Sequence, residues 1–369
     1  MACRIEDYAL IGDCQTAALV GIDGSIDWLS FPRFDSGACF AALLGNEGNG
    51  HWKIAPTSPI IRTTRKYRGE TLVLETEFET EDGVVALIDF MPPRTAEPDL
   101  IRIVEGRGGS VDLSMNLCIR FDYGSVVPWV RKMDGGVEAT AGPDTVLLWS
   151  DVELKGKEKS TVAEFSVREG ERVRFNLAWT PTYSPRPENQ DCDASLEATE
   201  RWWQEWVARC DYDGEWAEAV RRSLIVLKAM TYSPTGGVVA AATTSLPESL
   251  GGVRNWDYRY CWLRDATFTL FSLITGGFLQ EARDWREWLI HSVAGSPEDL
   301  QIMYGVAGER RLPELEIPWL SGYEESAPVR IGNAAHGQFQ LDVYGEVMDA
   351  LHVARQSGLE PSDESWRVQ

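Results

Sequence analysis

The sequence predicts a two-part chain, an antiparallel β-sandwich followed by an α-helical domain, and three observations carry that prediction. Up to about residue 185, short apolar or alternating runs are separated by Gly-rich turns, as in the half-buried strands of a sandwich. Beyond a proline-containing segment at 181–193 the apolar period changes to the helical one. The length of 369 residues, at about 150 per domain, gives two domains.

The clearest hairpin comes first. Leu72-Val73-Leu74-Glu75-Thr76-Glu77-Phe78-Glu79-Thr80 begins as an apolar run and then alternates. Glu81-Asp82-Gly83 turns the chain, and Val84-Val85-Ala86-Leu87-Ile88-Asp89-Phe90 returns until Pro92-Pro93 stops it. The same grammar predicts strands at 101–105, 111–121, 146–150 and 173–179. Turns are expected at Gly106-Arg107-Gly108-Gly109, Asp134-Gly135-Gly136 and Glu169-Gly170-Glu171.

After the linker, Leu196, Thr199, Trp203 and Trp206 define one amphipathic helix, and Val220, Leu224, Leu227 and Lys228 a second at 216–230. Further helices are expected at about 264–275, 280–294 and 340–357, with a long loop carrying Pro313, Pro318, Gly322 and Pro328 between the last two. The division is therefore a sandwich at 1–185, a linker with a connecting helix at 186–212, and the start of a helical domain at 213–369.

Composition narrows the function. A chain with 44% hydrophobic and 25% charged residues builds a core and is not disordered. Acidic residues outnumber basic ones 57 to 35, a net charge of -22, and this field repels phosphate backbones and anionic lipid. No nucleic-acid or membrane partner is expected, and a neutral or cationic substrate is. The seven cysteines are scattered, without a C-x-x-C pair or a neighbouring histidine, so they read as packed, reduced thiols and not as disulfides or a zinc site. The opening residues are acidic where a signal peptide is apolar, and no run approaches the ~18 apolar residues of a membrane helix, so a cytoplasmic location is expected. There is no G-x-x-x-x-G-K-[ST] loop and no G-x-S-x-G elbow, and His51, His291, His336 and His352 are dispersed.

The densest chemistry lies in Gly251-Gly252-Val253-Arg254-Asn255-Trp256-Asp257-Tyr258-Arg259-Tyr260-Cys261-Trp262-Leu263-Arg264-Asp265-Ala266. A sugar needs a flat apolar face under its C–H groups and planar donors and acceptors for its hydroxyls. Trp and Tyr supply the first, and an adjacent Arg and Asp the second. The competing reading makes Trp256 and Trp262 core residues, with Arg264 and Asp265 a structural ion pair at a helix start. A second stretch, from Leu320 to His336, places Arg330 and Asn333 where one wall of a polar pocket could stand, or where Asn333 simply caps a following helix. Of 15 tryptophans, Trp203, Trp206, Trp216, Trp285 and Trp288 sit at helical spacing and read as core. Paired carboxylates are the most available machinery, and they suit glycoside hydrolysis.

Three long motifs then carry a family resemblance. Ile5-Glu6-Asp7-Tyr8-Ala9-Leu10-Ile11-Gly12-Asp13-Cys14-Gln15-Thr16, with Asp23-Gly24-Ser25-Ile26-Asp27-Trp28 and Phe31-Pro32-Arg33-Phe34-Asp35-Ser36, resembles the N-terminal domain of bacterial glycoside hydrolase family 15 proteins. The 255–266 stretch and Pro328-Val329-Arg330-Ile331-Gly332-Asn333-Ala334-Ala335 resemble the catalytic-domain signatures of the same family, which includes glucoamylases, glucodextranases and trehalases.

The resemblance implies an N-terminal β-sandwich followed by an (α/α)6 toroid, incomplete in this chain, with a glucosyl pocket at its centre. It implies hydrolysis of an α-linked glucoside, a maltooligosaccharide or trehalose, with inversion and without metal or organic cofactor. Trp262 would line the glucose pocket, Arg264 and Asp265 would hold the glucose hydroxyls, Tyr258 would stand beside the reacting centre, and Arg330 and Asn333 would build the opposite wall. The acid and base glutamates are expected in motifs beyond Gln369, because neither motif is found after Asn333 and only about four helices follow the linker. The chain is thus expected to be C-terminally truncated, with helix faces left exposed. The nearest substitutes as acid or base are Glu314, Glu316, Glu324, Glu325 and Glu346. A non-catalytic sugar-binding protein and a toroid phosphorylase are the alternatives, and the sequence leaves the oligomeric state open.

Overall fold

The alternating runs of the first half pair as a period of two requires. In the computed structural model, which describes residues 2–294, 299–360 and 363–368, the first unit, Met1–Gln204, holds two antiparallel sheets that share one strand. The first sheet runs Tyr8–Gly12, Ala17–Gly21, Ser25–Ser30, His51–Pro56, the later half of Asp99–Cys118, Ser160–Arg168 and Lys155–Lys157. The second runs Arg62–Tyr67, Leu74–Glu79, Gly83–Phe90, the earlier half of Asp99–Cys118, Arg172–Pro181, Asp144–Ser150, Gly136–Ala141 and Trp129–Met133. The hairpin read from the sequence has its register, with Glu79 opposite Val84.

The turn expected at 106–109 is instead a bend inside the single strand Asp99–Cys118. Residues before it pair with Arg172–Pro181 and residues after it with Ser160–Arg168, so the strand passes from one sheet to the other. Glycine is what lets the backbone do this. A Cβ at Gly106 would stand 2.0 Å from the Arg168 carbonyl oxygen, and Gly109 has φ +68.

Between the sheets, Trp52, Ile54, Phe78, Leu87, Val104, Leu113, Met115 and Phe175 belong to one buried cluster. Within it lies a charged pair shielded from water. Arg102, 0% exposed, donates to Asp89 Oδ1 at 2.7 Å and to the carbonyls of Trp52 at 2.6 Å and Gly24 at 2.7 Å. Its guanidinium also lies 5.1 Å from the Trp52 ring centroid. One side chain thereby ties two strands and the turn at Gly24.

Helix α1 (Cys192–Val207) begins in this unit, where Leu196 packs with Val73, Ile88, Phe90, Ile101 and Ile103. The second unit, Glu205–Gln369, contains α2 (Ala217–Ala229), α3 (Leu263–Thr275), α4 (Leu279–Ser292), α5 (Asp342–Gln356) and α6 (Asp363–Val368). Trp203, Trp206, Trp285 and Trp288 are buried as their spacing predicts. Trp216 is the exception: it stands just before α2, outside the helical repeat, and is 65% exposed. Trp206 stacks on Phe278 at 4.0 Å and donates its indole N–H to Glu281 at 2.6 Å. Burial pushes the Glu281 carboxyl up, but Lys228 at 3.1 Å, the Trp206 N–H and Arg209 outweigh it and hold the group below its usual range.

Stretches between the helices carry short ladders. Thr231–Tyr232 pairs with Gly237–Val238, Thr244–Pro247 with Asn255–Asp257, Cys261–Trp262 with Met303–Tyr304, and Leu315–Ile317 with Val329–Ile331. Such strands are too short to show a period. Phe268 and Phe271 on α3 and Met348 on α5 are exposed. Among the described residues none of the seven cysteines forms a disulfide, and Cys14, Cys39, Cys118, Cys192 and Cys261 are buried. Among the described residues no helix is long and apolar enough to cross a membrane.

Candidate functional site

Two of the sequence motifs, 255–266 and 328–335, meet in the second unit, and the ladders between the helices bring them together. Asn255, fully buried, donates its side-chain amide to the carbonyls of Ser326 at 2.9 Å and Pro328 at 3.2 Å, and so fastens one motif to the other. Ser245 works from a third segment. Held at φ +55, it donates its hydroxyl to the Arg330 carbonyl at 2.9 Å and receives the Arg330 N–H at 2.7 Å.

Asp257 and Arg259 form the centre of this junction. Arg259 donates to Asp257 through Nε at 2.9 Å and Nη2 at 2.7 Å, with both side chains out of solvent. Asp257 also accepts the Gly332 N–H at 3.1 Å, and its carbonyl accepts the Asn333 amide at 3.1 Å. Asn333 in turn accepts the Ala335 N–H at 3.0 Å and caps the short turn Ala334–Gly337. The capping role weighed in the sequence is thus present, and the Asn333 amide is spent on the Asp257 carbonyl. The Asp257–Arg259 pair was not singled out there. Its signal was the spacing, since residues two apart on an extended segment point to one side.

Arg330 is also mostly covered. It donates to the Val253 carbonyl at 2.9 Å, lies 4.6 Å from the Trp256 ring, and stands 3.4 Å from Glu314 and 3.6 Å from Glu316. Glu314 accepts the Ala334 N–H at 3.1 Å as well. The remaining carboxylates near the motif differ: Glu324 and Glu325 sit on an exposed turn at φ 45 and 61, and Glu346 lies within α5.

The other four sequence candidates form a second group. Tyr258 and Trp262 have ring centroids 6.0 Å apart, and the Arg264 guanidinium lies 5.4 Å from the Trp262 ring. Arg264 then donates to Asp265 at 3.2 Å and stands 3.9 Å from Asp342. Trp262 is 8% exposed, yet its buried indole N–H has no hydrogen-bond partner, an uncommon state for a buried donor. Burial, reinforced by the charges of Glu248 and Asp265, pushes the Tyr258 phenol up, so it is a neutral donor at physiological pH. Arg264 and Asp265 keep 41% and 49% of their side-chain surface in solvent. Asp265 lies in the first turn of α3, where the helix dipole favours a carboxylate.

This group combines adjacent aromatic rings, a planar donor and a planar acceptor, the set that a polyhydroxylated ring requires. Among the described residues no cluster of His, Cys, Asp and Glu could hold a metal ion. A cavity of about 440 Å³ in the same unit is lined by Ser233, Thr235, Asp284, Trp288 and His291, among others, and neither motif contributes to it. The chemistry follows the motifs.

Residues 1–202 match the trehalase-like N-terminal family, and residues 214–369 match glycosyl hydrolases family 15. Over 99% of its length the chain is 36% identical to a trehalase of Mycolicibacterium smegmatis and covers 59% of that protein. A trehalase of Mycobacterium tuberculosis is 35% identical over 99% of the chain, with 58% of that protein covered. Trehalase 1 of Sulfolobus acidocaldarius is 35% identical over 94% of the chain, with 60% covered. The chain thus spans less than two thirds of the length of these relatives. In three dimensions it is similar to a bacterial glucoamylase crystallised with acarbose, with a TM-score of 0.65 and 11% identity, over 96% of this chain and 56% of that one. That likeness is one of fold, a β domain followed by helices of the (α/α)6 kind, as the sequence motifs imply.

Proposed function

Because the chain belongs to glycosyl hydrolase family 15 and carries a trehalase-like N-terminal domain, we propose that it serves the hydrolysis of an α-linked glucoside, trehalose first, with inversion at the anomeric carbon. The observation that carries the reading is the contiguous run Tyr258, Trp262, Arg264 and Asp265, with aromatic rings beside a half-exposed planar ion pair. The names of the relatives point to trehalose.

In this reading glucose stacks against the half-buried Tyr258 ring, with the buried Trp262 ring behind it. Arg264 donates to neighbouring hydroxyls while Asp265 accepts from them. Asn333, bonded to the Asp257 carbonyl, and Arg330, bonded to the Val253 carbonyl and lying over Trp256, hold the facing wall. Inversion requires a carboxylic acid to protonate the leaving oxygen and a carboxylate about 6.5–9.5 Å away to activate water. Glu314 and Glu316 are drawn to Arg330, Glu324 and Glu325 stand on an exposed turn and Glu346 lies within α5, so we assign the acid and base roles to none of these five. The sandwich at 1–185, the connecting segment at 186–212 and the sugar-holding region from 213 are the functional division. No cofactor is assigned to the acid–base step. A cytoplasmic setting agrees with seven unbridged cysteines.

The test is glucose release from trehalose. A longer protein that includes this chain should release glucose with the inverted anomer seen first by NMR, and the 369-residue chain alone should bind trehalose without turnover. Turnover by the chain alone would overturn the acid and base assignment. Failure of the longer protein to cleave any α-glucoside would overturn the hydrolase reading.

A further inference from the structure

A separate feature of the first unit lies on the sheet face turned away from the core. Val137, Ala139, Val146, Leu148 and Leu177 from these strands enter the buried cluster, so their neighbours in sequence face the other way. On that outer face, Trp129 pairs with Thr140, Thr140 with Thr145, and Thr145 with Thr180, which sets one aromatic and three threonines in a row across four strands. The next row begins with Arg131 opposite Glu138. The segment after the last strand folds back beside them, and Arg186 pairs with Glu138.

The result is a depression of about 380 Å³ floored by these side chains, within the volume range of small-ligand sites. Two observations point to a ligand there. Trp129 is 74% exposed on an edge strand, where an apolar ring invites unwanted pairing and is normally avoided. Thr180, only 2% exposed, lines the same depression, and its hydroxyl has no hydrogen-bond partner. Neighbouring hydroxyls are already linked, Thr140 to Thr145 at 3.2 Å and Thr145 to Thr182 at 3.4 Å, so the row is a continuous set of small donors and acceptors.

We infer that this face is a second carbohydrate-binding site, distinct from the motifs of the second unit, which takes a neutral oligosaccharide with one ring stacked on Trp129. An indole offers a flat apolar surface to the C–H face of a pyranose. Threonine hydroxyls suit single sugar hydroxyls, and the Arg131 and Glu138 side chains suit vicinal pairs. Arg131 and Arg186 face the single carboxylate of Glu138, and the chain's net charge of -22 disfavours a phosphorylated ligand there.

The inference does not depend on hydrolysis, and its test reads Trp129 directly. In full chain labelled with 5-fluorotryptophan, the ¹⁹F resonance missing from Trp129→Phe belongs to Trp129, and the one missing from Trp262→Phe reports the second unit separately. Titration with maltoheptaose should move the Trp129 resonance saturably. Thr180→Val keeps the shape of the side chain and should weaken that response about tenfold, as should Arg131→Ala. A Trp129 resonance that does not move, or one that moves with the same affinity in both variants, would overturn the inference, whatever Trp262 does.

Discussion

Asp257 with Arg259 and Arg264 with Asp265 use the same two residue types within one motif, and they end in opposite environments. The first pair is sealed from solvent, and its carboxylate also takes a backbone N–H from the second motif. The second pair is half exposed and lies against an aromatic ring. A buried pair is costly to break because the surviving charge is stranded, whereas an exposed pair adds little to stability and keeps its polar atoms within reach of a ligand. The first unit repeats the lesson, since Asp89 and Arg102 are likewise buried, with the guanidinium spent on backbone carbonyls. The contrast in the second unit separates the two pairs: Asp257–Arg259 ties the motifs together, and Arg264–Asp265 keeps its polar atoms in solvent.

The sharpest way to break this comparison is Asp257→Ala. It leaves Arg259 buried without its carboxylate and should cost about 3–5 kcal/mol, with the motifs at 255 and 328 separating. Thermal unfolding followed by circular dichroism checks it, and an unchanged midpoint would make the pair dispensable.

A half-buried carboxylate without a paired arginine makes an intermediate case. Asp99 in the first unit has Asn176 as a neutral neighbour, and burial pushes its carboxyl up to about 6. The folded pKa lies above the ordinary value of 3.8, so its contribution is full below that value and is lost as pH rises through about 6. Asp99→Asn should therefore raise stability by about 1–2 kcal/mol at pH near 8 and by almost nothing at pH near 4. Melting curves at both pH values decide it, and a gain at low pH alone would reverse the sign of the argument.

Arg330→Met removes the bond to the Val253 carbonyl and the contacts to Glu314 and Glu316, but keeps an apolar stem against Trp256. A loss of about 1–2 kcal/mol is expected in chemical denaturation, below that of Asp257→Ala. An equal or greater loss would place the junction at Arg330 instead.

The sandwich was legible because its strands are long enough to alternate, and the hairpin at 74–90 has the register its turn demands. The bend at 106–109 was not, because glycines that end a strand and glycines that let one strand change sheets have the same composition. In the second unit the amphipathic helices were visible, while ladders of two or three residues left no periodic trace. The six candidate side chains were named by what the family resemblance implies. What the sequence could not separate was which of them face solvent and which are consumed by the fold, since that depends on contacts such as Asn255 to Pro328 between distant segments.

The most direct measurement is a calorimetric titration of trehalose into the wild-type chain and into Arg264→Ala, with melting curves of both. The predicted result is binding by the wild type that weakens at least about tenfold in the variant, while stability changes by less than about 1 kcal/mol. Equal affinity in the two proteins, or a variant that fails to fold, would contradict the division between a buried pair that holds the structure and an exposed pair that holds the sugar.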